Sequence, residues 1–161
     1  MDQTQLTTFG NHIRANQDAT VVAALAVGNL GDIRDWYSAE SATYVWKPSL
    51  SVQEMRDEAF DWVEVVALGT NPLLALQVLL NQDTVNPSKA SVRGAFSSIF
   101  GGPQYVNTRT ALTAIAKRLA TQLESVFAAG TGSEASPATL VVTGSPSTAD
   151  VDLALELTAP E

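Results

Sequence analysis

Apolar residues recur along most of this chain at helical spacing. Leu6, Phe9 and Ile13 lie three and four apart, which predicts a first helix over about residues 3–16 with one buried face. Asp18 is placed to cap a second helix whose apolar stripe is Val21, Val22, Leu25 and Ala26. Gly28 and Gly31 weaken that helix, because glycine costs about 1 kcal/mol in a helix interior. A short third helix follows, with Leu30, Ile33 and Trp36-Tyr37 inward. Thr43-Tyr44-Val45-Trp46 is β-branched or aromatic throughout and reads as a short extended segment; Pro48 keeps Lys47 out of the helical region.

Ser51 and Glu54 have the spacing of a capping box, so a helix is expected from about residue 52. Its apolar positions Val52, Met55, Ala59, Trp62, Val63 and Val66 carry the period to Leu68, ahead of Gly69. Asn71-Pro72 and Asn86-Pro87 are two copies of one start signal, with Asn as cap and Pro in the first turn. The first opens residues 73–80, apolar almost all round and therefore expected to be buried. The second opens a helix with Val92, Ala95, Phe96 and Ile99 on one face, stopped by Gly101-Gly102-Pro103. The longest periodic stretch places Leu112, Ile115, Leu119, Leu123, Val126 and Phe127 on one stripe and predicts a helix over about residues 108–129, roughly 33 Å long. Beyond Gly130 the composition turns to Gly, Ser, Thr and Pro. Leu140-Val141-Val142 reads as a short strand, and Ser147 or Thr148 as the cap of a last helical turn or two. A lone strand needs a partner, either residues 44–46 of the same chain or an edge in another. The expected fold is mainly α: a helical bundle built on the long helix, with one or two short β segments and an extended C-terminal arm. The domain boundaries are 1–130 for the helical domain and 131–161 for the arm.

Composition narrows the function classes. The 161 residues include no cysteine, which excludes a disulfide framework, a Cys-based zinc site and a cysteine nucleophile. With 45% hydrophobic and 16% charged residues the chain is too apolar for wholesale disorder. No apolar run approaches the ~20 residues that span a bilayer, and the N-terminus lacks a basic segment followed by an apolar one, so a soluble, non-exported protein is expected, with no membrane partner.

The net charge of −8 is unevenly spread. Residues 1–83 hold four Lys/Arg against eleven Asp/Glu, residues 84–123 five against none, and residues 124–161 none against six, giving −7, +5 and −6. A basic centre between acidic flanks suits contacts between copies of one protein, although interleaving of the segments on folding would balance the same charges. Lys89, Arg93, Arg109, Lys117 and Arg118 are the basic candidates for such an interface.

Candidate chemistry is sparse. His12 is the sole histidine, on a helix surface, and no Gly-x-Ser-x-Gly elbow accompanies it. Asp57, Asp61 and Glu64 share a helical face, which would suit a hard cation or an acid/base pair, but a solvated face is the better explanation, because no calcium-loop spacing flanks them. Gly101-Gly102-Pro103 is a turn without the Lys of a phosphate loop. Trp62 is expected in the core; Trp36-Tyr37 and Tyr44-Val45-Trp46 bracket a loop that leaves at least one ring exposed. Arg109, Lys117 and Arg118 spread over more than two helical turns without interleaved aromatics, and a pI near 4.5 disfavours a grip on DNA. No catalytic residue, cofactor or metal is expected.

Several stretches, in order, resemble a family of small, mainly helical virion proteins of tailed bacteriophages. They are Val21-Val22-Ala23-Ala24-Leu25-Ala26 with Trp36-Tyr37, Tyr44-Val45-Trp46-Lys47 ahead of Val52, and Val92-Arg93-Gly94-Ala95. Farther on come residues 116–124 (Ala-Lys-Arg-Leu-Ala-Thr-Gln-Leu-Glu) with Phe127-Ala128, and Thr139-Leu140-Val141-Val142 before Gly144 and Asp150-Val151. Residues 61–86 depart from the pattern. The resemblance implies a head-tail connector: an adaptor or head-completion protein, assembled in the host cytoplasm. In the virion it would form a homo-oligomeric ring that joins the portal protein to the tail and lets DNA pass without sequence-specific binding. On that reading Leu140, Val141 and Val142 join the interface candidates, as a strand added to a neighbour. Head decoration and tail termination are alternative virion roles. A small helical ligand-binding or enzymatic domain using the carboxylates near Asp57 and Asp61 is the rival from another class.

Overall fold

Asp2 opens the first helix, α1 (Gln3–Ala15), through a reciprocal capping box with Gln5. The computed structural model describes residues 1–159. Its chain folds as two compact units, Met1–Thr43 with Leu119–Glu161, and Tyr44–Arg118. In the first unit α1 is followed by α2 (Ala19–Val27), capped by Asp18, and α3 (Leu30–Ser38), capped by Asn29. Each cap is local in sequence, and these helices fall close to where the periodicity puts them. Leu6, Phe9, Ile13, Val21, Ile33 and Tyr37 are buried together. Strand β1 (Glu40–Trp46) then leads the chain into the second unit.

There β2 (Leu50–Ser51) precedes helix α4 (Val52–Glu54), which widens into a π-helical turn over Met55–Ala59. Ser51 caps α4 by accepting the Gln53 N–H at 3.1 Å, but the other half of the expected capping box is absent: Glu54 pairs with Lys47 Nζ at 2.9 Å. The helix expected as far as Leu68 breaks at Phe60–Asp61, where Asp61 caps a new short helix, α5 (Trp62–Val66). The break resets the helical face. Glu64 and Val65 turn inward, while Trp62 (53% exposed), Val63 and Val66 face solvent, which corrects the placement of Trp62 in the core. Helix α6 (Thr70–Leu80) is capped by Gly69 rather than Asn71, and it buries only Leu76, leaving Leu74 and Val78 exposed where full burial was expected. Strand β3 (Thr84–Val85) pairs antiparallel with β2, with Leu50 opposite Val85. Asn86 organises a turn by accepting the Ser88 N–H and hydroxyl, so α7 (Ala90–Ile99) starts three residues later than an Asn86 cap would have it. After a short 3-10 turn comes α8 (Val106–Ile115). The core of this unit gathers Leu50, Met55, Phe60, Leu76, Phe100 and Leu112, among others.

The long helix over 108–129 does not form. Helix α8 ends at Ile115, strand β4 (Lys117–Thr121) follows, and α9 (Gln122–Phe127) restarts behind a Thr121–Glu124 capping box. The apolar stripe was compatible with one helix, but pairing with β1 claims the backbone of 117–121. In the second unit Lys47 N donates to Ala116 O; in the first, Gln122 N donates to Ala39 O and Ser41 Oγ to Ala120 O. Thus β4 carries the chain back into the first unit, as β1 carries it out.

The C-terminal arm is likewise corrected. Residues 140–142 form no strand; next to them Thr139 makes an antiparallel bridge with Ala129. Val142 is buried in the first unit's core. Buried Glu124 accepts the Gly144 N–H at 2.8 Å, where Gly144 has φ 95°, a left-handed turn open to glycine. A final helix, α10 (Thr148–Leu157), lies against α1 and adds Val151 and Ala154 to the same core. Gly10 permits that approach: a Cβ there would stand 2.1 Å from the Ala154 carbonyl oxygen. Arg14 donates to Leu155 O and Thr158 Oγ1, satisfying acceptors at the C-terminal end of α10. The expected arm is therefore folded into a unit, its last two residues lying outside those described. Mainly α architecture with a few short strands holds throughout.

Candidate functional site

The basic candidates fall in one unit and the apolar ones in the other. Lys89, Arg93, Arg109, Lys117 and Arg118 belong to the second unit, whereas Leu140, Val141 and Val142 belong to the first. Leu140 is half-buried, Val141 exposed and Val142 in the core, so the three do not present a common edge.

The basic residues differ in what they do. Lys89 is exposed at the start of α7. Arg93, one turn on, lies over Trp46, its guanidinium carbon 4.7 Å from the ring centroid, and its Nη1 donates to Pro87 O and Ser88 O, both at 2.7 Å. Arg109, in the first turns of α8, sends Nη1 to Phe100 O at 3.0 Å and Gly102 O at 3.4 Å. Lys117 Nζ stands 5.7 Å from the centre of the Tyr44 ring. Arg118 is half-buried beside it in β4. Lys117 and Arg118 make further contacts of their own.

Between α7 and α8 the second unit holds a cavity of about 270 Å³. Trp46, Leu50, Met55, Phe96, Phe100 and Leu112 give it an apolar wall, into which the side chains of Arg93 and Arg109 are set. The periodicity of α7 pointed to Val92 and Phe96 as inward. It carried no sign that Arg93 and Arg109, sixteen residues apart, would border one space.

The acidic candidates are occupied structurally. Asp57 is exposed and accepts from Gln53 Nε2. Asp61 caps α5 through the Val63 N–H and accepts Asn107 Nδ2 at 2.9 Å, a bond that, with the α5 amides, holds its carboxyl below the usual range. Glu64 is buried and accepts the Asn107 and Thr108 N–H groups at 3.0 and 2.8 Å, serving as the cap that α8 lacks from its own sequence. Desolvation pushes the Glu64 carboxyl up, and the hydrogen bonds from Thr108 and Asn107 outweigh it, so the group sits below its ordinary value. Thr108 Oγ1 closes the circuit by accepting the Asp61 N–H. Asp57, Asp61 and Glu64 therefore do not form the shared face expected of them. The role of Glu64 was missed; its only trace in the sequence is a single acid inside the apolar run Trp62–Val66.

His12 meets Tyr37 in the first unit, Nδ1 to hydroxyl at 2.7 Å. Asn16 Nδ2 donates to the same hydroxyl at 3.0 Å, leaving the tyrosine proton for His12. Burial pushes the Tyr37 hydroxyl up to about 12, so it stays protonated, and desolvation lowers the His12 value. This is a hydrogen-bonded helix contact with no nucleophile or carboxylate beside it among the described residues.

Compared with known proteins, the chain matches no family model, no curated protein and no solved structure.

Proposed function

We propose that this chain is a structural protein of a tailed-phage virion, a head-tail adaptor whose copies form a ring joining portal to tail around the passing DNA. The observation that carries the reading is how the fold distributes charge. The second unit holds seven Lys/Arg against six Asp/Glu, a net of +1, and the first holds two against eleven, a net of −9. Folding places both chain ends, residues 1–43 and 119–161, in one strongly acidic body, while residues 44–83 of the first acidic flank join the basic centre in the other and nearly cancel its charge. A subunit divided in this way favours heterologous contacts, in which the acidic unit of one copy meets the other unit of the next, and such contacts close into rings when the rotation permits. The sequence resemblance supplies the context in which a ring of this kind works. No catalytic step belongs to the reading.

Locating the chain in a particle reconstruction tests it. The adaptor reading expects a closed ring of copies between portal and tail. Density on the outer shell would replace it with a decoration role, and density capping the tail tube without contact with the portal with a terminator role.

A further inference from the structure

The cavity of the second unit joins an apolar wall to two cations, Arg93 and Arg109, that no carboxylate of the described residues neutralises. Among the described residues Arg93 and Arg109 each spend only Nη1 on the protein, on backbone carbonyls. Among the described residues neither makes an ion pair, whereas nearby Lys47 is matched by Glu54. A guanidinium has five N–H donors, so Nε and Nη2 of each arginine remain for another acceptor. Their carbonyl anchors, with the Trp46 ring beneath Arg93, hold the planar forks in place before any ligand arrives. Half-buried guanidiniums beside apolar surface favour a carboxylate above a neutral acceptor, because charge-assisted, bidentate bonds are about twice as strong as neutral ones.

Size restricts the ligand. The space is about 270 Å³. An apolar cavity of about 150 Å³ accepts benzene and drug-sized sites begin near about 300 Å³, which leaves room for on the order of ten non-hydrogen atoms. Met55, Leu112, Phe96 and Phe100 offer no polar side-chain group to the body of such a molecule. Ser97 and Thr113 are the uncharged polar side chains on the lining.

We infer that this cavity is a binding site for a small apolar monocarboxylate, with the chain or ring against Met55, Phe96, Phe100 and Leu112 and the carboxylate on Arg93 or Arg109. The site lies wholly within the second unit and does not depend on the adaptor reading.

Octanoate and its neutral isostere octanamide are the probes, titrated into the full-length protein by calorimetry and by NMR of the tryptophan indole N–H groups. Octanoate should bind saturably and shift the Trp46 indole signal, leaving those of Trp36 and Trp62 in place, and octanamide should bind at least about tenfold more weakly. Of the variants Arg93→Met and Arg109→Met, one or both should reduce octanoate affinity about tenfold or more and narrow the gap between the two probes. Val92→Phe keeps both arginines and fills the space, and should abolish binding while circular dichroism remains that of the parent. Equal affinity for octanamide and octanoate, no saturable binding to the parent protein, or undiminished binding in a folded Val92→Phe variant would each overturn the assignment.

Discussion

Gly10 reverses an ordinary rule of helix energetics. Replacing glycine by alanine inside a helix normally gains about 1 kcal/mol, since the backbone loses less freedom on folding. At Gly10 the added methyl would sit 2.1 Å from Ala154 O and 2.6 Å from Thr158 Oγ1, so α1 and α10 must separate. Gly10→Ala should therefore destabilise by about 2 kcal/mol, read as a lower urea midpoint at unchanged slope. His12 supports a second prediction at this scale. Its neutral ring accepts the Tyr37 proton in the folded state, and its pKa is lowered from 6.5. As pH falls below 6.5 the unfolded chain takes up the proton first, so stability is fully present above that value and is lost down to the depressed folded value. His12→Asn, which keeps an acceptor, should flatten stability in that window. The losses from the lowered carboxyls of Asp18, Asp61, Glu64 and Asp150 fall at lower pH, below 3.8 to 4.5. Asp18 and Ser51 were legible as caps because each acts on an amide two residues away. Gly10 and Glu64 were not, because their partners lie more than forty residues distant and leave no periodic mark.

At the scale of elements, the first three helices were readable while the two longest expected helices broke. Both breaks share a cause. Helical period is necessary for a buried helix but does not exclude a partner elsewhere in the chain from taking the backbone. At Asp61 the cap of α5 and the bond to Asn107 outweigh continuation of the π-helical turn. At 117–121 the partner is β1, and the Thr121–Glu124 capping box that starts α9 was hidden inside an apparently continuous stripe. A peptide of residues 108–129, which lacks β1, should then show what its own sequence prefers. In aqueous trifluoroethanol it is expected to be helical across 117–121, with helical NOEs and carbon shifts, while the same residues in the intact protein give strand values. Extended 117–121 in the free peptide would mean that the strand is intrinsic rather than imposed by pairing.

For the whole molecule, dividing the sequence into thirds found charge blocks of −7, +5 and −6 and left open whether folding would interleave them. Neither possibility describes the result. The chain enters its second unit through β1 and returns through β4, which puts both termini in the first unit and gives it −9 against +1. Such segregation costs self-repulsion within the acidic unit, and contact with a cationic surface would relieve it. Association between copies should therefore weaken steeply as ionic strength rises from about 0.05 M to about 1 M, where the Debye length shrinks to about 3 Å. Sedimentation velocity across that range measures it. Lys89 on α7 and Asp152 and Glu156 on α10 are exposed. Lys89→Glu should lower association at low salt without changing the melting temperature, and a partner carrying Asp152→Lys and Glu156→Lys should recover part of it. Association that is indifferent to salt and to Lys89→Glu would place the contact on apolar surface instead, where the exposed Trp62, Val63 and Val66 of α5 would be the next residues to change.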